Sequence, residues 1–96
     1  MELYYRFDRQ PIWENIQSEA RRAETLGFDG ISSVELNHDP FFQLVLAARA
    51  TKRVKLETRI AVAFPRSPTT MAYAAWDLQG LSQGRFKLGL GSQGRA

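Results

Sequence analysis

The stretch "VKLETRIAVAF", residues 54–64, decides the fold of this chain. Apolar side chains occupy its alternate positions, a pattern that predicts a β-strand with one apolar face. The other face carries Lys55, Glu57 and Arg59, followed by two alanines. A parallel sheet covered by helices on both sides would need apolar residues on both faces. The polar face therefore favours part of a barrel whose interior holds paired polar side chains, with an open sheet facing solvent as the alternative.

The same strand-and-helix unit repeats along the chain. Strands are predicted at residues 2–7, 30–35, 54–64 and 85–91. A helix is predicted to begin near Pro11, because proline suits the first helical turn. Two more are predicted to begin at Asp39-Pro40 and Ser67-Pro68, where a capping side chain precedes proline. The order β-α-β-α-β-α-β predicts an α/β fold with parallel strands in the order 1-2-3-4 and all helices on one face. The 96 residues are expected to form a single domain, 1–96.

Composition excludes several classes of site. The chain is 44% hydrophobic and 24% charged, which is typical of a soluble globular domain, and we expect a cytoplasmic protein without a membrane partner. The absence of cysteine excludes disulfides and thiol catalysis, and a single histidine excludes a two-histidine metal motif, so no metal is expected. The net charge of +3 is scattered along the chain and does not indicate a nucleic-acid partner.

The carboxyl ends of parallel strands are where α/β folds place their sites. His38 follows the second predicted strand and is the one side chain that exchanges protons near neutral pH without help. It is the candidate catalytic residue. The alternative is that His38 only hydrogen-bonds within its loop, beside the Asp39 helix cap.

A glycine pattern at residues 89–94, "GLGSQG", matches the spacing of the dinucleotide-binding fingerprint. That fingerprint requires a helix at its last glycine and an acidic residue about 20 positions later. Only two residues follow Gly94, so neither condition is met in this sequence. In a barrel, Gly89 and Gly91 would instead leave interior space for a flat ligand.

Two segments, the second with a specific piece inside it, resemble the luciferase-like superfamily of flavin-dependent oxidoreductases. They are "GFDGISSVELNHDPF" at 27–41, "TRIAVAFPRSPTTMAYAAWDLQGLSQGRFKLGLGSQ" at 58–93 and, within the latter, the most specific piece, "LSQGRFKLGLG" at 81–91. The "HDPF" and "RSP" elements are similar to the deazaflavin-dependent branch. The resemblance covers roughly residues 16–93 and implies a (β/α)8 TIM barrel that transfers hydride between reduced flavin or deazaflavin and a small organic substrate.

The resemblance also implies roles for individual residues. His38 falls where such enzymes often carry a histidine near the reactive edge of the flavin. The Arg59–Ile60 bond falls at their non-prolyl cis peptide, a bulge that supports the ring of deazaflavin (coenzyme F420 type) or FMN. The implied cofactor-binding residues are Arg59, Ile60, Ala61, Val62 and Gly91.

Two departures from the family pattern shape the interpretation. Family members often carry a small residue where this chain has Arg59. A complete barrel needs about 250 residues, whereas this chain supplies four strands and three helices, about half. We therefore expect the N-terminal half of such an oxidoreductase. The alternatives are a catalytically inactive half-barrel that acts as a structural or self-association module and a Rossmann-type nucleotide-binding fragment.

A half-barrel has two unpaired strand edges, and such edges invite pairing with another chain. We therefore expect a homo-oligomer, most simply a dimer of half-barrels. Alternatively, the chain could self-associate by burying the helix residues Trp13, Phe42 or Trp76 between two copies. Because four strands form only one wall of a pocket, the isolated chain is expected to bind flavin weakly.

Overall fold

The computed structural model describes residues 2–7, 12–34, 39–59, 61–62 and 67–91, with the backbone alone at 61, 62 and 91. The chain alternates short strands with helices. The elements are β1 (Tyr4–Arg6), a 3-10 helix (Trp13–Asn15), α1 (Ile16–Thr25), β2 (Gly30–Ser33), α2 (Pro40–Ala50), β3 (Lys55–Thr58), β4 (Ala61–Val62), α3 (Pro68–Ser82), β5 (Phe86–Lys87) and β6 (Leu90–Gly91).

The main sheet is parallel, in the order β1-β2-β3-β5. The third and fourth chain segments pair again further on, where β4 lies parallel to β6. Since β5 and β6 belong to one predicted strand, this arrangement confirms the parallel 1-2-3-4 order expected from the sequence. None of the described helices is long and apolar enough to cross a membrane.

The helices pack on one face of the sheet. Helix α2 lies against β2 and β3, and its two sides contact α1 and α3. The core between these layers includes Ile31, Leu44 and Leu56, none of which is exposed to solvent. On the opposite face of β3 lie Lys55 and Glu57, so the one-sided apolar pattern predicted from residues 54–64 is confirmed over this strand.

Local signals at the helix ends act as the sequence indicates. The Asp39 side chain accepts a hydrogen bond of 2.8 Å from the Phe41 amide, and Ser67 Oγ accepts one of 3.0 Å from the Thr70 amide. Each cap is followed by proline in the first helical turn. These contacts confirm the predicted starts of α2 and α3, while the predicted helix start at Pro11 lies outside the described residues.

The predicted continuous strands 54–64 and 85–91 are each interrupted, which corrects the sequence-based interpretation. Glu57 pairs with Lys87, whereas Ala61 pairs with Leu90. Between these pairs the third segment therefore has one residue more than its neighbour, which is the definition of a β-bulge. Bulges are rare in parallel sheets and are enriched beside active sites, where they redirect side chains.

A threonine and a glycine hold the strands together at this bulge. Thr58 Oγ1 accepts a hydrogen bond of 2.8 Å from the Gly89 amide and donates one of 2.9 Å to the Gly89 carbonyl. A Cβ atom added to Gly89 would lie 2.2 Å from the Thr58 carbonyl oxygen. The side-chain hydroxyl thus replaces the regular ladder, and this close approach of the two backbones requires glycine.

Candidate cofactor site

The face of the sheet opposite the helices is called the inner face. Arg59 lies on this face, at the carboxyl end of the sheet. Strand pairing aligns Tyr4, Gly30 and Lys55 in one row and Ser32, Glu57 and Lys87 in the next. Arg59 comes directly after β3, on the same face as Glu57 because strand side chains alternate. The described contacts of Arg59 come from Tyr4 of β1 and Glu57 of β3, and its backbone amide donates a hydrogen bond of 2.7 Å to the Ser33 carbonyl of β2.

Two neighbours fix the position of the Arg59 guanidinium. Its Nε donates a hydrogen bond of 3.0 Å to Glu57 Oε1, and its Cζ atom lies 4.6 Å from the centre of the Tyr4 ring. The Arg59 side chain is 52% exposed, whereas that of Glu57 is 12% exposed. The Glu57 carboxylate is thus largely buried, whereas the Arg59 guanidinium is half exposed and lies over the Tyr4 ring.

The Tyr4 ring lies in turn against the backbone of β2. A Cβ atom added to Gly30 would lie 2.4 Å from a carbon of this ring, so the contact requires glycine at position 30. Burial raises the pKa of Tyr4 above its ordinary value, and the nearby carboxylates of Glu2 and Glu57 raise it further. Gly30, Tyr4, Arg59 and Glu57 thus form a connected group, which we call the inner-face cluster.

Basic side chains outnumber acidic ones on this face. The strand register and alternation place four cations and two carboxylates there, in the set Glu2, Arg6, Lys55, Glu57, Arg59 and Lys87. Lys55 Nζ lies 2.7 Å from Glu2 Oε2, and this hydrogen bond raises the pKa of Lys55. The inner face therefore carries a positive balance of charge, which favours anionic groups.

Most, but not all, of the residues that the family resemblance implies for cofactor binding lie in the described parts of the chain. Pairing of β4 with β6 places Val62 beside Gly91, on the carboxyl side of the bulge that begins after Arg59. The structure thus brings four of the five predicted positions, Arg59, Ala61, Val62 and Gly91, to one end of two neighbouring segments. His38 and Ile60, and with Ile60 the predicted cis peptide, lie outside the described residues.

Described residues on either side of positions 35–38, which include His38, make side-chain hydrogen bonds. Before it, Ser33 Oγ donates a hydrogen bond of 2.6 Å to Oε1 of the buried Gln43. After it, Asp39 caps α2. The first of these contacts joins the carboxyl end of β2 to α2.

Sequence reasoning did not identify the partners of Arg59 as part of a site. The alternation of polar residues placed Glu57 and Tyr4 on the inner face, but the contact between the Tyr4 ring and Arg59 depends on packing across three strands. The nearest sequence signal is the Glu-x-Arg spacing at 57–59, since side chains two apart on a strand share a face.

The donor set fits a flat organic cofactor better than a metal. Within the described ranges, no three His, Cys, Asp or Glu side chains are grouped so that they could hold a metal ion. The inner face instead offers a planar guanidinium and exposed ends of adjacent strands. Planar guanidinium groups stack on rings and donate hydrogen bonds to their polar edges, which suits a flavin-type group.

Comparison with protein families and curated proteins agrees with this chemistry. A family model described as luciferase-like monooxygenase matches residues 6–96. An uncharacterized protein of Mycobacterium tuberculosis is 54% identical over 70 residues, which cover 73% of this chain and 21% of that protein. A putative coenzyme F420-dependent oxidoreductase of the same organism is 40% identical over 73 residues, which cover 75% of this chain and 21% of that protein. The chain therefore spans about a fifth of the length of these relatives.

Solved structures share the fold. A monooxygenase from Streptomyces bottropensis matches with a TM-score of 0.84 and 25% identity, over 94% of this chain and 32% of that one. The oxygenating constituent of 3,6-diketocamphane monooxygenase from Pseudomonas putida, a Baeyer-Villiger monooxygenase in complex with FMN, also has a TM-score of 0.84, at 20% identity over 99% of this chain and 30% of that one. The described chain thus has the parallel βα architecture of part of a TIM barrel.

Proposed function

Because this chain belongs to the luciferase-like monooxygenase family, we propose that it forms one wall of a flavin-type cofactor site in an oxidoreductase. The reaction we propose is hydride transfer between the cofactor and a small organic substrate. The cofactor supplies the hydride chemistry when bound, and the protein binds and orients the ring. The matched segments are about a fifth of the relatives' length, so this activity is proposed for the whole protein rather than for these strands alone.

The bulge after β3 is the observation that carries this proposal. It lies at the carboxyl end of the sheet, where TIM-barrel enzymes place their sites, and it interrupts a parallel ladder that could otherwise continue. We propose that the Arg59–Ile60 peptide at this bulge supports the ring and that Ala61, Val62 and Gly91 form the adjoining wall.

His38 is the proposed proton donor or acceptor. Imidazole can hold or release a proton near neutral pH, which a hydride transfer to or from a carbonyl-type carbon requires at the neighbouring oxygen. The support for this role is the place of His38 in the chain, between the carboxyl end of β2 and the start of α2. We propose deazaflavin first and FMN second, because the relative named as F420-dependent is 40% identical.

A chimera tests the proposed function. Residues 1–93 of this chain replace the corresponding segment of the 54%-identical Mycobacterium tuberculosis relative, which supplies the rest of the barrel. We expect the chimera to bind deazaflavin or FMN and the His38→Gln variant to retain binding while losing turnover about 100-fold or more. A folded chimera that binds neither cofactor would contradict the proposal, and an active His38→Gln variant would remove the proposed role of His38.

We also propose that the isolated chain self-associates. In the main sheet, β1 and β5 have a strand partner on one side only, and unpaired edges favour pairing. The side chain of Trp76 on α3 is 79% exposed and offers a second apolar contact surface. Light scattering should give a mass that is a multiple of 10.9 kDa, and a monomer mass that persists on concentration would contradict this.

A further inference from the structure

We propose that Arg59 binds the carboxylate of a small organic anion on the inner face of the sheet. The binding itself is a property of the described residues. Only its interpretation as substrate recognition rests on the proposed function, because it would restrict the substrates of that oxidoreductase to carboxylate-bearing compounds. The geometry of the inner-face cluster, the charge of the face and the free donors of Arg59 carry the inference.

Arg59 is held in place but keeps unused donors. Arg59 Nε donates a hydrogen bond to the Glu57 carboxylate, and the Arg59 guanidinium lies over the Tyr4 ring. With respect to the residues that the structure describes, the two Nη atoms make no hydrogen bond. A long side chain normally loses rotamer entropy when a ligand fixes it, and the two existing contacts reduce that loss before a ligand arrives. The arrangement is therefore pre-organised for an acceptor.

The free edge of the guanidinium matches a planar acceptor. Its Nη donors lie in the plane of the group and bind the two oxygens of a carboxylate with good geometry. The surrounding positive balance comes from Arg6 and Lys87, since Lys55 is paired with Glu2, and it attracts an anion to the face. About half of the Arg59 side chain is exposed to solvent, so a ligand can approach it without a rearrangement of the fold.

Glu57 favours a monoanion over a dianion. Its carboxylate lies 3.0 Å from Arg59 Nε and offsets part of the positive charge. A phosphate dianion bound to the same guanidinium would meet stronger repulsion from this carboxylate than a singly charged ligand would. We therefore assign the site to a carboxylate. Phosphate, which offers similar negatively charged oxygen acceptors, is the competing ligand.

The direct test follows the Arg59 side chain by NMR in the unmodified chain labelled with 15N-arginine. Benzoate is the probe, benzamide is its neutral isostere, and inorganic phosphate represents the competing anion. Benzoate is expected to shift the Arg59 Nε resonance saturably, while benzamide leaves it unchanged and phosphate binds more weakly. Absence of a saturable shift, an equal shift with benzamide, or tighter binding of phosphate would each overturn the carboxylate assignment.

Variants distinguish binding by the planar guanidinium of Arg59 from non-specific attraction of the anion by positive charge. Arg59→Ala should weaken benzoate binding about tenfold or more, because a charge-assisted hydrogen bond is lost. Arg59→Lys keeps the charge without the planar fork and should lose most of the same affinity. The control, Arg49→Ala, removes an equal charge from the exposed surface of α2 and should leave binding unchanged. Full affinity in Arg59→Lys, or an equal loss in Arg49→Ala, would contradict the proposal.

The outcome is separable from the test of the proposed function. Benzoate binding at Arg59 in a protein whose chimera binds no flavin would leave the anion site intact and remove only its interpretation as substrate recognition. Flavin binding by the chimera, combined with no effect of benzoate on Arg59, would remove the anion site alone. An unchanged amide spectrum in Arg59→Ala confirms that a loss of affinity does not come from unfolding.

Discussion

The two ends of the parallel sheet use arginine in opposite ways. At the amino end, Arg53 and Arg85 donate to backbone carbonyls and join the loops to the preceding helices. Arg53 Nη2 donates to the carbonyls of Glu24 and Phe28, which closes the carboxyl end of α1. At the carboxyl end, the Arg59 side chain makes its hydrogen bond and its ring contact with side chains, not with backbone carbonyls, among the described residues. The comparison indicates that the amino end contributes stability and the carboxyl end is available for ligands, as in TIM barrels generally.

Arg85 is the most extensively bonded side chain of the amino end. It donates five hydrogen bonds, including those to the carbonyls of Ala48 and Thr51 at the end of α2 and to the carbonyl of Val54 before β3. Burial lowers the pKa of Arg85, and the carboxylate of Glu24 offsets this in part. The "GRF" segment that contributes to the family resemblance thus has a structural function here.

The largest expected effect on stability comes from removing the Arg85 hydrogen bonds at the amino end of the sheet. Arg85→Met keeps most of the side chain's apolar bulk but leaves several carbonyls without their donor, so it should lower the free energy of unfolding by about 3 kcal/mol. Chemical denaturation measures the change. Arg49→Met, at an exposed position of α2, is the matched control and should change stability by less than about 0.5 kcal/mol. Equal effects in the two variants would remove the distinction drawn for Arg85.

The second effect concerns the bulge. Gly89→Ala places a methyl group against the Thr58 carbonyl oxygen and should destabilise the fold by about 2 kcal/mol, because the two strands must separate. Gly80→Ala is the control: a Cβ there meets no atom within 4 Å, and alanine in a helix should stabilise by up to about 1 kcal/mol. Thermal denaturation of both variants gives the comparison, and a neutral Gly89→Ala would show that the contact is not needed.

The third effect depends on pH. Partial burial alone raises the pKa of Glu24, but three backbone amides of the loop before β3 donate to its carboxylate and hold the net pKa below 4.5. A folded-state pKa below the unfolded value stabilises the fold above pH 4.5, and this contribution is lost as the pH falls through the folded pKa.

Glu24→Gln should therefore cost about 1 kcal/mol at pH 7 and progressively less below pH 4.5. Urea denaturation at a series of pH values measures the difference between the two proteins. The exposed Glu14→Gln variant serves as the control and should leave stability unchanged at pH 7. A cost for Glu24→Gln that stays constant on acidification would contradict the role given to this carboxylate.

The smallest effect is expected at the carboxyl end. Arg59→Ala removes one partly exposed ion pair and its contact with the Tyr4 ring, and pairs of this kind contribute little to stability. We expect a change of about 0.5 kcal/mol or less in the free energy of unfolding, measured by urea denaturation beside Arg85→Met. A loss as large as that of Arg85→Met would show that the two ends do not differ in function.

Local patterns account for what the sequence could predict. Capping by Asp39 and Ser67 involves neighbours within three residues, and the polar face follows from alternation in residues 54–64, so both could be recognised from sequence. Alternation did not predict the bulge, because the bulge depends on the register between β3 and β5, about 30 residues apart in the chain; only the family resemblance implied one at Arg59–Ile60. The different functions of Arg59 and Arg85 also depend on tertiary contacts that a single sequence does not contain. His38, the predicted catalytic residue, stays a prediction.

The most direct measurement is a map of backbone amide shifts during titration of the 15N-labelled chain with FMN and with deazaflavin. We predict weak binding, with the largest shifts at the carboxyl end of the sheet, at Thr58, Arg59, Gly89 and Leu90, and little change around Arg85 and Glu24. Shifts concentrated at the amino end of the sheet or on the outer surfaces of the helices would contradict the assignment of the cofactor wall.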